Sequence, residues 1–143
     1  MFSRGVMTAA KKQHVLLIED ATPLARVYRE YLRDEPYLVT HVETGGEALA
    51  AIGERLPEAI ILDLKLPDMD GLDILRHVHE RQMPASVVVI TAHGSVNTAV
   101  EAMKEGAFDF IVKPFNADRL IYTLRNALER QHLAETVETL KED

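Results

Sequence analysis

Five strand-like runs, each followed by a stretch with helical spacing, leave this chain few ways to fold. The runs are VLLI at 15–18, Tyr37 to Val42, AIIL at 59–62, VVVI at 87–90 and FDFIV at 108–112. After the first run, Leu24, Val27, Tyr28 and Tyr31 recur at helical intervals. Thr22 reads as the cap of that helix and Pro23 as its first residue, where a missing N–H costs little. Thr44-x-x-Glu47 is a capping-box pattern opening a helix with Ala48, Leu49, Ile52 and Leu56. Leu72, Leu75 and Val78 mark a third helix. Ser95 caps a fourth bearing Val96, Ala99, Val100 and Met103, and Asn116 caps a fifth with Leu120, Leu124 and Leu128.

Regular alternation with short connections predicts a parallel sheet covered by helices on both faces. Continuous apolar runs agree, because parallel strands are buried on both sides. The expected fold is α/β: a doubly wound five-stranded parallel sheet of order 2-1-3-4-5, a flavodoxin-like three-layer sandwich. The expected organisation is a loose N-terminal tail over 1–12, one domain over 13–130 and a helical extension over 131–143. In that extension Leu133, Val137 and Leu140 are spaced as in one short coiled-coil seam, and the plainer reading is a solvated helical end or linker.

Composition narrows the function. The net charge is -7 and no block of Lys and Arg occurs, which argues against direct nucleic-acid binding, since that affinity rests on neutralising phosphates. There are 0 cysteines, so disulfides and thiolate metal sites are excluded. No run is apolar for long enough to span a membrane, and the N-terminus lacks the apolar stretch of a secretion signal. A cytoplasmic location is the expectation.

In open α/β sheets, ligands bind beyond the carboxyl ends of the strands, where strand order reverses. In the order above, the first and third strands are neighbours there, and their ends bring Glu19, Asp20 and Asp63 together. Clustered carboxylates repel one another, and a divalent cation relieves the repulsion. The donors are hard oxygens without His or Cys, which points to Mg2+. A carboxylate is also a nucleophile towards phosphorus, forming an acyl phosphate. Asp63, ending the central strand after Ile60-Ile61-Leu62, is the candidate. Thr91 ends the fourth strand with a hydroxyl, and Lys113 ends the fifth with a positive charge. Both suit a transferred phosphoryl group, whose catalysis is mostly positioning and electrostatics. Pro114 follows Lys113, so a cis bond is expected there. Any one of these residues alone reads as a cap or a strand end. Their coincidence on one edge of the sheet carries the site.

VLLIED at 15–20, LDLKLPDMDG at 62–71, VITAHGS at 89–95 and GAFDFIVKPF at 106–115 together resemble the receiver domain of two-component response regulators. The resemblance covers about residues 13–130. It implies that Asp63 is the phosphoacceptor, that Asp20 and Glu19 are the acidic pair for Mg2+, and that the Lys65 carbonyl completes the protein ligands. It implies that Thr91 is the switch hydroxyl, that the Ala92 N–H bonds the phosphoryl group, that Phe110 is the switch ring and that Lys113 pairs with phosphoryl oxygens. It also implies a phosphoryl donor that is a sensor histidine kinase or phosphotransferase, a face of helix four, strand five and helix five that shifts, and a homodimer that phosphorylation either makes or breaks. Such a domain is a phosphoacceptor with self-catalysed transfer, not a turnover enzyme. Two departures stand out: the acidic pair is Glu-Asp where Asp-Asp is common, and the switch ring is Phe rather than Tyr. His93, His77 and His79 read as a loop residue and two solvent-facing helical residues.

Within the family, LPDMDG and TAHGSVNTAVEAMKEGAFDFIVKPF are similar to receivers of the nitrogen-regulator type, which control sigma-54-dependent transcription. LIEDATPLARVYREYL is similar to the LuxO-type branch. That class implies an ATPase module and a DNA-binding module after the receiver. No GxxxxGK[ST] phosphate loop is present here, so the expectation is a receiver excised with part of its linker helix, the alternative being a stand-alone regulator acting through protein contacts. Two other chemistries share parts of the pattern. A haloacid dehalogenase-type phosphatase needs a second Asp two residues after the nucleophile, where this chain has Lys65. A flavodoxin-like electron carrier needs a Ser/Thr/Gly phosphate loop where this chain has Glu19-Asp20.

Overall fold

The computed structural model describes residues 12–142, with side chains described through residue 134. The expected loose tail over 1–12 lies outside the described residues except for Lys12, which is exposed; the side chains of Val137 and Leu140 also lie outside them. Ten elements alternate along the chain: β1 (Gln13–Ile18), α1 (Thr22–Tyr31), β2 (Tyr37–Val42), α2 (Gly45–Glu54), β3 (Ala59–Asp63), α3 (Gly71–Glu80), β4 (Ser86–Thr91), α4 (Val96–Lys104), β5 (Asp109–Val112) and α5 (Ala117–Glu142). The strands form one parallel sheet of order β2-β1-β3-β4-β5, as the alternation predicts.

Successive strand residues point to opposite faces, so each apolar run feeds two cores. Leu16, Ile18, Ile60, Leu62, Val87 and Val89 pack with residues of α2 and α3 and with Ala102 of α4. Val15, Leu17, Ile61, Val88, Ile90 and Ile111 pack with residues of α1 and α5. Burying one Leu or Ile side chain is worth about 1.5–3 kcal/mol, so the central strands supply much of the stability.

The helix caps follow the sequence in three cases. Thr44 accepts from Glu47 N–H at α2, Ser95 from Thr98 N–H at α4, and Asn116 from Arg119 N–H ahead of α5. In α1 the reading changes. The helix already includes Thr22, the N-cap is Ala21, and no side chain caps it. The Thr22 hydroxyl instead donates to Glu43 at 2.7 Å, a partner across the loop after β2. The buried residues of α1 are Ala25 and Tyr28, continued by Leu32 at its C-cap, while Leu24 and Val27 are exposed.

Helix α4 departs further. Its helically spaced Val96, Val100 and Met103 face solvent, and Ala102 is its buried residue. On α3, Arg76 forms ion pairs with Glu101 and Glu105 of the α4 segment. At the opposite end of the sheet from Thr91, the buried Ser86 Oγ donates to Ala127 O at 3.2 Å and to Gln131 Oε1 at 3.3 Å. Arg130 donates to the same hydroxyl at 3.1 Å and lies over the Phe108 ring, so α5 is held to the start of β4.

Candidate functional site

Strand register explains why the chemistry converges. Ile18 pairs with Leu62, which sets Glu19 beside Asp63. Asp63 pairs with Ile90, so Thr91 stands one step beyond. Thr91 pairs with Val112, so Lys113 follows at the rim. The connection from β1 runs outward to β2, the next returns from β2 past β1 to β3, and the crevice opens where the strand order reverses.

Glu19, Asp20 and Asp63 each offer a carboxylate oxygen within 4.8 Å of the others. Glu19 and Asp63 are buried and Asp20 is exposed at the mouth. Lys113 Nζ bridges the two buried carboxylates, donating to Glu19 Oε1 at 2.7 Å and to Asp63 Oδ2 at 2.8 Å. Asp63 Oδ1 accepts from Lys65 N–H at 3.0 Å, and Glu19 Oε2 accepts from Ala21 N–H at 3.1 Å. The Lys113–Pro114 peptide bond is cis.

Burial pushes the Glu19 carboxyl above its usual range; the Lys113 and Ala21 hydrogen bonds pull the other way without cancelling it. For Lys113, burial works to lower the pKa, but the hydrogen bonds and charges of Asp63 and Glu19 outweigh it and hold the ammonium above its ordinary value. Tyr28, buried beneath the site, is pushed up to about 12, mainly by desolvation.

Thr91 is buried, and its Oγ1 accepts from His93 N–H at 3.1 Å. Ala92 is exposed at the rim, and Phe110 is half-buried against the core formed with α2 and α3. A cavity of about 320 Å³ opens here, lined by Glu19, Asp20, Asp63, Lys65, Ala92 and Lys113 among others. His93 and Leu24 also line it. His93 thus stands at the mouth, although the sequence suggested only a loop position. His77 is half-buried and His79 exposed on α3, away from this cavity.

Two contributors were not visible in the sequence. His41 of β2 places Nε2 2.8 Å from the Glu19 carbonyl. Asp68 accepts from the Gly45 and Gly46 N–H groups at 2.8 and 2.9 Å, tying the β3–α3 loop to α2. Each partner lies over twenty residues away along the chain, so local spacing carries no signal of it.

Residues 15–125 match the family model described as the response regulator receiver domain. The regulatory protein LuxO of Vibrio cholerae is 46% identical over 114 residues, covering 80% of this chain and 25% of that protein. The chain thus spans about a quarter of the length of the curated relatives it matches first. The crystal structure of the signal receiver domain of a Luxo repressor protein from Vibrio parahaemolyticus superposes with a TM-score of 0.87 at 48% identity, covering 90% of this chain and 98% of that one. The solution structure of the beryllofluoride-activated NtrC4 receiver domain dimer gives a TM-score of 0.78 at 36% identity, covering 82% and 98%. With its five-stranded parallel sheet and the matched family pattern, this chain belongs to the response regulator receiver domain family.

Proposed function

We propose that this chain is switched by a phosphoryl group carried on Asp63, donated by a sensor histidine kinase or phosphotransferase. The observation that carries this reading is Lys113 held at 2.8 Å from a buried aspartate that ends the central strand. A carboxylate oxygen of Asp63 attacks phosphorus, the bond from phosphorus to the donor atom breaks, and its electron pair leaves with the donor. The ammonium of Lys113, already at the carboxylate, pairs with the oxygens of the arriving group.

The acidic cluster fits Mg2+. Its donors are all carboxylates, and the buried pair needs a positive neighbour that one lysine supplies alone. Glu19, Asp20, Asp63 and the Lys65 carbonyl would hold the ion. When bound, it neutralises charge on phosphoryl oxygens. The longer Glu19 keeps the charge of the pair, and its second oxygen is already occupied by Ala21 N–H.

Thr91 and the Ala92 N–H take part after transfer. The Thr91 hydroxyl turns from His93 N–H towards the phosphoryl group, and the β4–α4 loop follows. Phe110 then packs inward, and the face of α4, β5 and α5 changes. Phosphorylation biases two pre-existing arrangements. Exposed Val96, Val100, Met103, Val112 and Tyr122 on that face support a homodimer as the phosphorylated state. The related receiver solved in its activated form is a dimer, which supports the same output. We assign residues 13–130 to the receiver and 131–143 to a linker helix, with sigma-54-dependent transcription as the regulated process and the cytoplasm as its place.

The test is incubation with acetyl phosphate and Mg2+ followed by intact mass. The expected result is a gain of one phosphoryl group, absent in Asp63→Ala and without Mg2+. No gain under any condition removes the phosphoacceptor reading and leaves the fold.

A further inference from the structure

The loop leaving β3 must reverse the chain within a few residues to begin α3. Its ends are tied locally. Lys65 N–H donates to Asp63 Oδ1 at 3.0 Å, Gly71 N–H donates to Leu64 O at 2.8 Å, and Lys65 and Asp70 form a single antiparallel bridge. Asp70 Oδ1 accepts from Leu72 N–H and so caps α3. The tip is tied at long range. Asp68 spreads its two oxygens over the Gly45 and Gly46 N–H groups in the first turn of α2.

Those N–H groups belong to a helix end whose first-turn donors lack intrahelical partners, and the helix dipole favours an anion there. Both hydrogen bonds hold the Asp68 carboxyl below the usual carboxylate range. The fit is close. A Cβ on Gly45 would sit 2.2 Å from Met69 Sδ and 3.3 Å from Asp68 Oδ1. Helix α2 already has its own cap in Thr44. The added tie from Asp68 therefore bears on the loop more than on the helix.

We infer that Asp68 is a positioning residue for the cation site: by clamping the β3–α3 loop to α2, it holds the Lys65 backbone in place beside the Asp63 carboxylate. The inference rests on the Mg2+ reading given above. Mg2+ demands near-ideal geometry, and a carbonyl on a loosened loop must be ordered at the moment of binding. Residues outside the ligand set commonly tune metal affinity by 10–100-fold in this way.

The experiment is calorimetric titration of Mg2+ into the intact chain, with urea unfolding of each variant in parallel. Asp68→Ala is expected to weaken Mg2+ binding by about tenfold. Asp68→Asn should fall between, since its amide oxygen can still accept. Thr44→Ala, which removes the cap of the same helix without touching the loop, should lower stability and leave Mg2+ affinity unchanged. Equal affinity in wild type and the folded Asp68 variants overturns the clamp alone. Equal weakening in Thr44→Ala also overturns it, because helix stability would then be the cause. No Mg2+ binding by wild type overturns the cation reading and the clamp together. Should Asp68→Ala fail to fold, Asp68→Asn decides.

Discussion

Lys113 Nζ lies 2.8 Å from Asp63 Oδ2, joining the last residue of the central strand to the residue just past β5. The same ammonium holds Glu19, so one cation serves two buried carboxylates. Removing one partner of a buried pair leaves an uncompensated charge, which commonly costs about 3–5 kcal/mol. Lys113→Ala should therefore destabilise the domain by about 3 kcal/mol in Mg2+-free buffer. Adding Mg2+ should recover part of the loss. Urea unfolding followed by circular dichroism checks both; an unchanged midpoint without Mg2+ would show that the bridge adds nothing.

Two glycines should respond oppositely to alanine. A Cβ on Gly71 would lie 2.6 Å from Leu64 Cα and 2.7 Å from Asp63 O, both backbone atoms. Gly71→Ala should cost about 1–3 kcal/mol and slow acetyl phosphate labelling, because the strand end carrying Asp63 must shift. Gly53, within α2, would meet nothing within 4 Å. Gly53→Ala should stabilise by up to about 1 kcal/mol with labelling unchanged. Thermal unfolding and labelling rates measured on both variants decide.

Val100 and Met103 lie open on α4. Surface substitutions away from special contacts usually stay within about 0.5 kcal/mol, so Val100→Ala and Met103→Ala should barely move the unfolding midpoint. They should weaken self-association of the phosphorylated chain, read by sedimentation velocity. Loss of stability with unchanged association would reassign the two side chains to packing.

Asp68 also predicts a pH dependence. Its folded pKa is depressed by the Gly45 and Gly46 N–H groups, so its contribution is present above the unfolded carboxylate pKa of about 3.9 and is lost as pH falls through the folded value. The stability gap between wild type and Asp68→Asn should therefore be full at neutral pH and close below about pH 4. Urea midpoints at a series of pH values test this, and a gap constant across the series would argue against it.

Strand alternation was legible because the central strands β1, β3 and β4 are buried on both faces and so carry unbroken apolar runs, as VLLI and VVVI are. Glu19, Asp63, Thr91 and Lys113 were legible because a strand end needs only its neighbour in sequence to be located. Helix α4 was not. Val96, Val100 and Met103 have core spacing, yet periodicity cannot say which side of a helix faces the sheet, and Ala102 took that side. Thr22 misled because its hydroxyl donates to the Glu43 carboxylate instead of accepting from an N–H of its own helix. Asp68 and His41 escaped because their partners are remote in the chain.

The knot at the start of β4 bears on where this domain can be cut. The family pattern ends at residue 125, but Ala127, Leu128 and Gln131 are buried, and the Ser86 hydroxyl is hydrogen-bonded to Ala127 O, Gln131 and Arg130. A fragment trimmed to the pattern would open the floor of the sheet beneath the strand that carries Thr91, and leave Ser86 facing water.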